Sequence, residues 1–183
     1  GVIKVEISQR QPVMRMMNQA GQDFYIDQNG LKIPMSSNFT AKVLVANGFI
    51  DEVYGGKLDT LHTDVAKQLY KTVQFINKDS LWIAQIAQLY VNTNHEIELI
   101  PRVGANRILL GNADSLENKF HNLLVFYKQA LPQVGWDRYK IINIKFANQV
   151  VGVKSDNFKK DSLKAVTAKT DSIKMGKDTF TNN

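Results

Sequence analysis

The chain has 183 residues, 44% of them apolar, no cysteine and a net charge of +6. That length accommodates one domain with a buried core, and the lack of Cys excludes disulfides, thiolate zinc sites and cysteine nucleophiles. No apolar run approaches the roughly 20 residues of a membrane helix, and the basic residues are scattered instead of gathered with aromatics on one face, which argues against a nucleic-acid partner.

Ile3, Val5 and Ile7 alternate with Lys4, Glu6 and Ser8, the period of a strand with one buried face. The strand is under way at Val2 with nothing folded ahead of it, so the chain reads as a piece of a longer protein. The pattern breaks at Pro12 and resumes through Met14, Met16 and Met17, which read as gap-filling core residues. Phe24 and Ile26, then Leu31 and Ile33, flank Asn29-Gly30, a pair suited to a type I′ hairpin turn. Ala41 to Ala46 is a predicted strand closed by Asn47-Gly48, and 49–57 is a loop broken at Gly55-Gly56. The period then changes: Leu61, Val65, Leu69, Val73 and Ile76 recur at three or four residues. This predicts an amphipathic helix capped by Asp59 or Thr60 and ending near Asn77.

Trp82 to Val91, Glu96 to Val103 and Arg107 to Leu110 read as an antiparallel meander turned at Asn92-Thr93-Asn94 and Gly104-Ala105-Asn106. A second helix is predicted from Asp114, with Glu117 completing an acidic capping box. Its stripe is Leu116, Phe120, Leu123, Leu124 and Tyr127, and Leu131-Pro132 with Gly135 end it. Tyr139 to Lys154 reads as the closing strand, with a bulge or turn at Ala147-Asn148-Gln149. Residues 156–183 hold six Lys and four Asp and read as a basic tail, flexible or ordered by a partner. The expected class is α+β, an antiparallel or mixed sheet carrying two main helices.

Chemistry is scarce. His62, His95 and His121 lack metal-ligand spacing, and no nucleophile elbow or phosphate-cradling glycine loop occurs. Asp51-Glu52 reads as solvent-facing, so no catalytic, metal-binding or cofactor-binding residue is expected. An interaction protein is the remaining class. Its best surface is the closing strand, whose edge could take a partner strand by β-augmentation, against the plain alternative that it pairs internally. A glycan- or peptidoglycan-binding module using Trp82, Trp136 and Tyr139 is the second reading. A hydrolase built on Asp51, Glu52 and His62 is the third.

Residues 3–13, IKVEISQRQPV, resemble the passage of the FtsQ/DivIB family in which the last POTRA strand enters the β domain. Gln9-Arg10 stands where the family usually has Glu-Arg, and Met14 where it often has Ala. FYIDQNGLKIP (24–34) resembles the family's hairpin, and 98–111, Phe126-Tyr127 and QVVGVK (149–154) resemble its Bacteroidota-type branch. The resemblance covers 3–154 and implies an FtsQ β-domain-like fold, with 1–10 as POTRA remnant and connector, 11–155 as the β domain and 156–183 as tail. It also implies a non-enzymatic divisome scaffold without cofactors: the periplasmic part of a bitopic inner-membrane protein that binds FtsB and FtsL and helps control septal peptidoglycan synthesis. FtsB would add a strand along Ile144, Lys145, Phe146, Asn148, Gln149, Val151, Gly152 and Val153. Phe146 and Val153 stand where the family has Tyr and Trp, which alters side-chain contacts and leaves backbone pairing open. The family's basic residue before the Trp-led strand has no match, since Asp79-Ser80-Leu81 precede Trp82.

Overall fold

The computed structural model describes residues 3–4, 9–130, 132, 135, 138–146, 149–154 and 171–174. In chain order the strands are β1 (Pro12–Met17), β2 (Asp23–Asp27), β3 (Leu31–Pro34), β4 (Leu44–Gly48) and β5 (Asp59–Thr60), followed by helices α1 (Asp64–Ile76) and α2 (Ser80–Gln85). Then come β6 (Ile86–Val91), β7 (Ile97–Pro101), β8 (Arg107–Gly111), α3 (Leu116–Gln129), β9 (Tyr139–Asn143), β10 (Gln149–Lys154) and β11 (Asp171–Lys174). All the described strands join one sheet in the order β11-β10-β9-β8-β7-β6-β4-β1-β2-β3-β5. The class is α+β. The sheet is mixed, because β4 pairs with β1 and β6, and β8 with β9, in parallel. Parallel neighbours need a crossover, and α1–α2 and α3 supply two of them.

The helices pack their apolar stripes on the sheet. Ala66, Leu69, Val73 and Ile76 of α1 and Leu116, Phe120 and Leu123 of α3 are buried together with Met14, Met16, Leu89, Leu99, Ile108 and Ile142. The methionines at 14 and 16 are core residues as expected, while Met17 is exposed. Four aromatic rings tie the helices together. Phe120 lies 4.8 Å from Phe75 and 4.9 Å from Trp82, and Trp82 lies 6.2 Å from Tyr127. Each such contact adds about 0.5–1.5 kcal/mol beyond area burial.

Several local expectations need correction. Trp82 belongs to a helix: the Asp79 carboxylate accepts from Leu81 N at 2.9 Å and caps α2, so the strand starts only at Ile86. Thr63, and not Asp59 or Thr60, caps α1, its hydroxyl accepting from Ala66 N at 3.3 Å. Asp59 and Thr60 form β5 instead. α3 starts after Ser115, which adopts a left-handed φ of 50° and gives no side-chain cap. Asp114 is engaged with Asn112, at 2.6 Å from its Nδ2.

The 24–34 hairpin forms, but its turn is not type I′. That type needs positive φ at both central residues, and here Gly30 has φ 77° while Asn29 does not share it. Gly30 N donates to Asp27 O at 3.0 Å, and Asp27 Oδ1 accepts from Asn29 N at 2.8 Å and Leu31 N at 2.9 Å. A carboxylate therefore shapes this turn. At the other end of the chain, the segment Tyr139 to Lys154 follows the turn alternative, not the bulge, and is not one strand. It is an antiparallel pair, β9 and β10, aligning Val151 with Asn143 and Gly152 with Ile142. Residues 5–8, on which the opening strand expectation largely rests, lie outside the described residues; Ile3 and Lys4 are exposed and carry no strand.

Candidate protein-docking edge

β9 and β10 hang on the body of the domain through three devices. β9 lies parallel to β8, matching Ile108 with Ile142, and Ile144 N extends that pairing to Leu109 O at 3.0 Å. Tyr139 packs edge-on against Phe126 of α3, 5.2 Å between ring centroids. The same ring lies over Gly152: a Cβ there would come within 2.6 Å of Tyr139 carbons. Glycine in mid-strand often marks such a close approach.

The third device is Lys145. Its ammonium pairs with the Glu96 carboxylate ahead of β7, and its backbone N donates to Asn143 Oδ1 at 3.0 Å. The hydrogen bond from Lys145 is the main cause holding the Glu96 carboxyl below its ordinary range. The lysine stem runs past Gly111, where an added Cβ would sit 3.0 Å from it and where φ is 78°.

The expected docking residues thus divide. Ile144 is fully buried, a core residue rather than a contact residue. Lys145 is half-buried and committed to Glu96. Phe146 is 51% exposed, beside a small cavity lined also by His95, Glu96 and Asn112, and Val153 is 46% exposed. Gln149 and Val151 are half-buried on β10, Gly152 is buried under Tyr139, and Asn148 lies outside the described residues.

β10 is not the sheet's final strand. β11 pairs with it antiparallel, aligning Gln149 with Lys174, Val150 with Ile173, Val151 with Ser172 and Gly152 with Asp171. The open edge anticipated for the closing strand is therefore occupied by the chain itself. Four residues of the expected tail carry this pairing; the rest of 155–183 lies outside the described residues.

The rival sites fare differently. Trp82 and Tyr139 are buried at 4% and 8% exposure, so they offer no stacking platform for a sugar; Trp136 lies outside the described residues. Asp51, Glu52 and His62 do not converge as an acid–base pair. Asp51 takes the Gln19 side-chain amide, and the His62 ring lies 2.7 Å from Asp59 Oδ2, a bond that leads in lowering the Asp59 carboxyl to about 2. Glu52 is buried, not solvent-facing. It accepts from Lys32 Nζ at 2.7 Å, Thr63 N at 2.8 Å, Thr63 Oγ1 at 2.9 Å and His62 N at 3.0 Å. Burial pushes this carboxyl up, and the donors together outweigh it and leave it below its ordinary value. Every oxygen is used, so Glu52 is a clamp between β3 and α1. Among the described residues no three His, Asp or Glu side chains gather as a metal site would require.

The motif residues behind the resemblance are structural as well. Arg10 Nη1 lies 2.8 Å from Asp27 Oδ2, so the Arg before Pro12 and the Asp of the hairpin hold each other. Glu96 and the Tyr139–Gly152 stacking escaped sequence reasoning. Gly152 offered a signal, a small residue inside an alternating strand, whereas nothing local marks Glu96 as the partner of Lys145.

Residues 11–153 match the family model described as FtsQ/DivIB, C-terminal related. No curated protein matches the sequence. The family match runs from the residue before β1 to within β10, well over half of the sequence, and the chain belongs to the FtsQ/DivIB C-terminal related family of non-enzymatic cell-division proteins.

Proposed function

We propose that this domain is the partner-docking part of a division scaffold, and that it binds the FtsB–FtsL pair by accepting an extended segment along β10. The observation that carries the reading is the outer edge of β10, which pairs antiparallel with a strand from far along the chain. Such an edge offers backbone N–H and C=O groups to any extended segment of matching length, with side chains setting the choice. Phe146 and Val153, both about half exposed near the two ends of β10, are the apolar contacts a docked segment would cover. Family membership supplies the division context. In this reading the domain lies in the periplasm and takes part in the control of septal peptidoglycan synthesis. No helix among the described residues is long and apolar enough to cross a membrane, so the membrane anchor of this proposal would come from sequence outside them.

The test is the affinity of the purified chain for the soluble FtsB–FtsL pair. Phe146→Asp should weaken binding at least tenfold while circular dichroism and the unfolding midpoint stay unchanged, since the side chain is half in solvent. Unchanged affinity would remove the docking assignment.

A further inference from the structure

The position that a partner strand would take on β10 is already filled. β9 lies on one side of β10 and β11 on the other, so a strand has only two places beside it and both are occupied. β11 falls beyond the region shared with the family, which stops at Val153. It is short, four residues, and its sequence Asp-Ser-Ile-Lys has one apolar residue. Short, charged strands are a common means of covering an edge without inviting further pairing. β11 belongs to the same chain as β10, and a covalently linked segment meets its site at a high effective concentration whatever its intrinsic affinity.

We propose that Asp171–Lys174 is a built-in competitor strand: it covers the β10 edge in the free protein and must leave before a partner's extended segment can pair there. The inference rests on the docking reading above and adds its regulation. A domain whose edge is open for only a fraction of the time binds with an affinity reduced by that fraction. Its ladder with β10 is four residues long, short enough to yield. It also protects β10 from pairing with a second copy of the chain.

The absence of cysteine allows a clean test. Val151 and Ser172 stand opposite each other, and directly opposed residues of an antiparallel pair lie within disulfide range. In the full chain carrying Val151→Cys and Ser172→Cys, mild oxidation should form the bond, and the oxidised protein should bind the soluble FtsB–FtsL pair at least tenfold more weakly than the same protein reduced. In a second variant, Ile173→Pro, disruption of the short β11 strand should raise affinity severalfold over the unaltered chain. It should also speed amide hydrogen exchange at Val150–Gly152 when no partner is present. Equal binding by the oxidised and reduced forms overturns the competitor role, as does failure of the pair to oxidise. If locking changes nothing while Phe146→Asp still abolishes capture, the competitor is wrong and the docking edge stands. If Phe146→Asp also changes nothing, the docking edge falls with it.

Discussion

The two ends of the sheet are built from different materials. At the β3–β5 end a buried ammonium and carboxylate, Lys32 and Glu52, face each other at 2.7 Å, each side chain only 1% exposed, with Asp59 3.3 Å from the same ammonium. Backbone and hydroxyl donors from the start of α1 saturate the carboxylate. At the β9–β11 end the ion pair of Lys145 with Glu96 is partly exposed. Ring packing on a glycine and backbone ladders hold it as well. A buried, saturated ion cluster fixes geometry and resists rearrangement, because breaking it strands a charge. Backbone ladders at an edge can be exchanged for equivalent ones. One end is suited to holding the fold and the other to trading strands.

Breaking the first end should have the largest effect. Glu52→Gln leaves Lys32 buried with only the exposed Asp59 carboxylate as counter-charge, and should lower unfolding stability by about 3 kcal/mol in urea titration. The same carboxylate makes stability depend on pH. Its folded-state pKa lies below the unfolded one, so its contribution is complete above the ordinary carboxylate range and is lost as pH falls through that range toward the depressed value. The acid limb of stability below about pH 5 should therefore be shallower in Glu52→Gln than in the unaltered chain. An equal slope in both would assign the acid sensitivity to other carboxylates, Asp27 first: burial pushes it up, but Leu31 N–H, Arg10 and Asn29 N–H more than offset this.

At the second end, Gly152→Val places atoms inside the Tyr139 ring and should destabilise by about 1–3 kcal/mol, the usual range for overpacking. It should also weaken partner capture, since Tyr139 aligns β10 on Phe126. A variant as stable as the original with intact capture would show that the ring simply moves aside. The smallest effect belongs to Lys145→Met. Losing a half-exposed ion pair should change stability by less than about 1 kcal/mol. Because Glu96 already holds that ammonium, partner affinity should fall less than in Phe146→Asp. The reverse order would mean that the lysine leaves Glu96 to meet the partner.

The periodic segments were legible from residues alone. Leu69, Val73 and Ile76, or Leu116, Phe120 and Leu123, repeat at the helical spacing because one face must be dry, and the structure buries them all. The meander of β6, β7 and β8 followed from strand runs separated by turns. Trp82 misled because Trp-Ile-Ala-Gln-Ile-Ala-Gln fits a strand or a short helix, and only the Asp79 cap with the ring cluster of Phe75, Phe120 and Tyr127 tips it to helix. Glu52 misled because adjacent acids ordinarily face water. Its partner Lys32 sits on β3, and no local pattern pairs the two.

By itself, then, the sequence determined the α+β class, most elements, the principal apolar stripes and the resemblance that family membership bears out, because local periodicity and turn chemistry act over a few residues. Which strands lie parallel, which charges are buried together and what covers β10 were decided only by tertiary structure. Those depend on contacts between segments far apart in the chain, such as Val151 with Ser172, where backbone pairing is nearly indifferent to side-chain identity and leaves little trace in the order of residues.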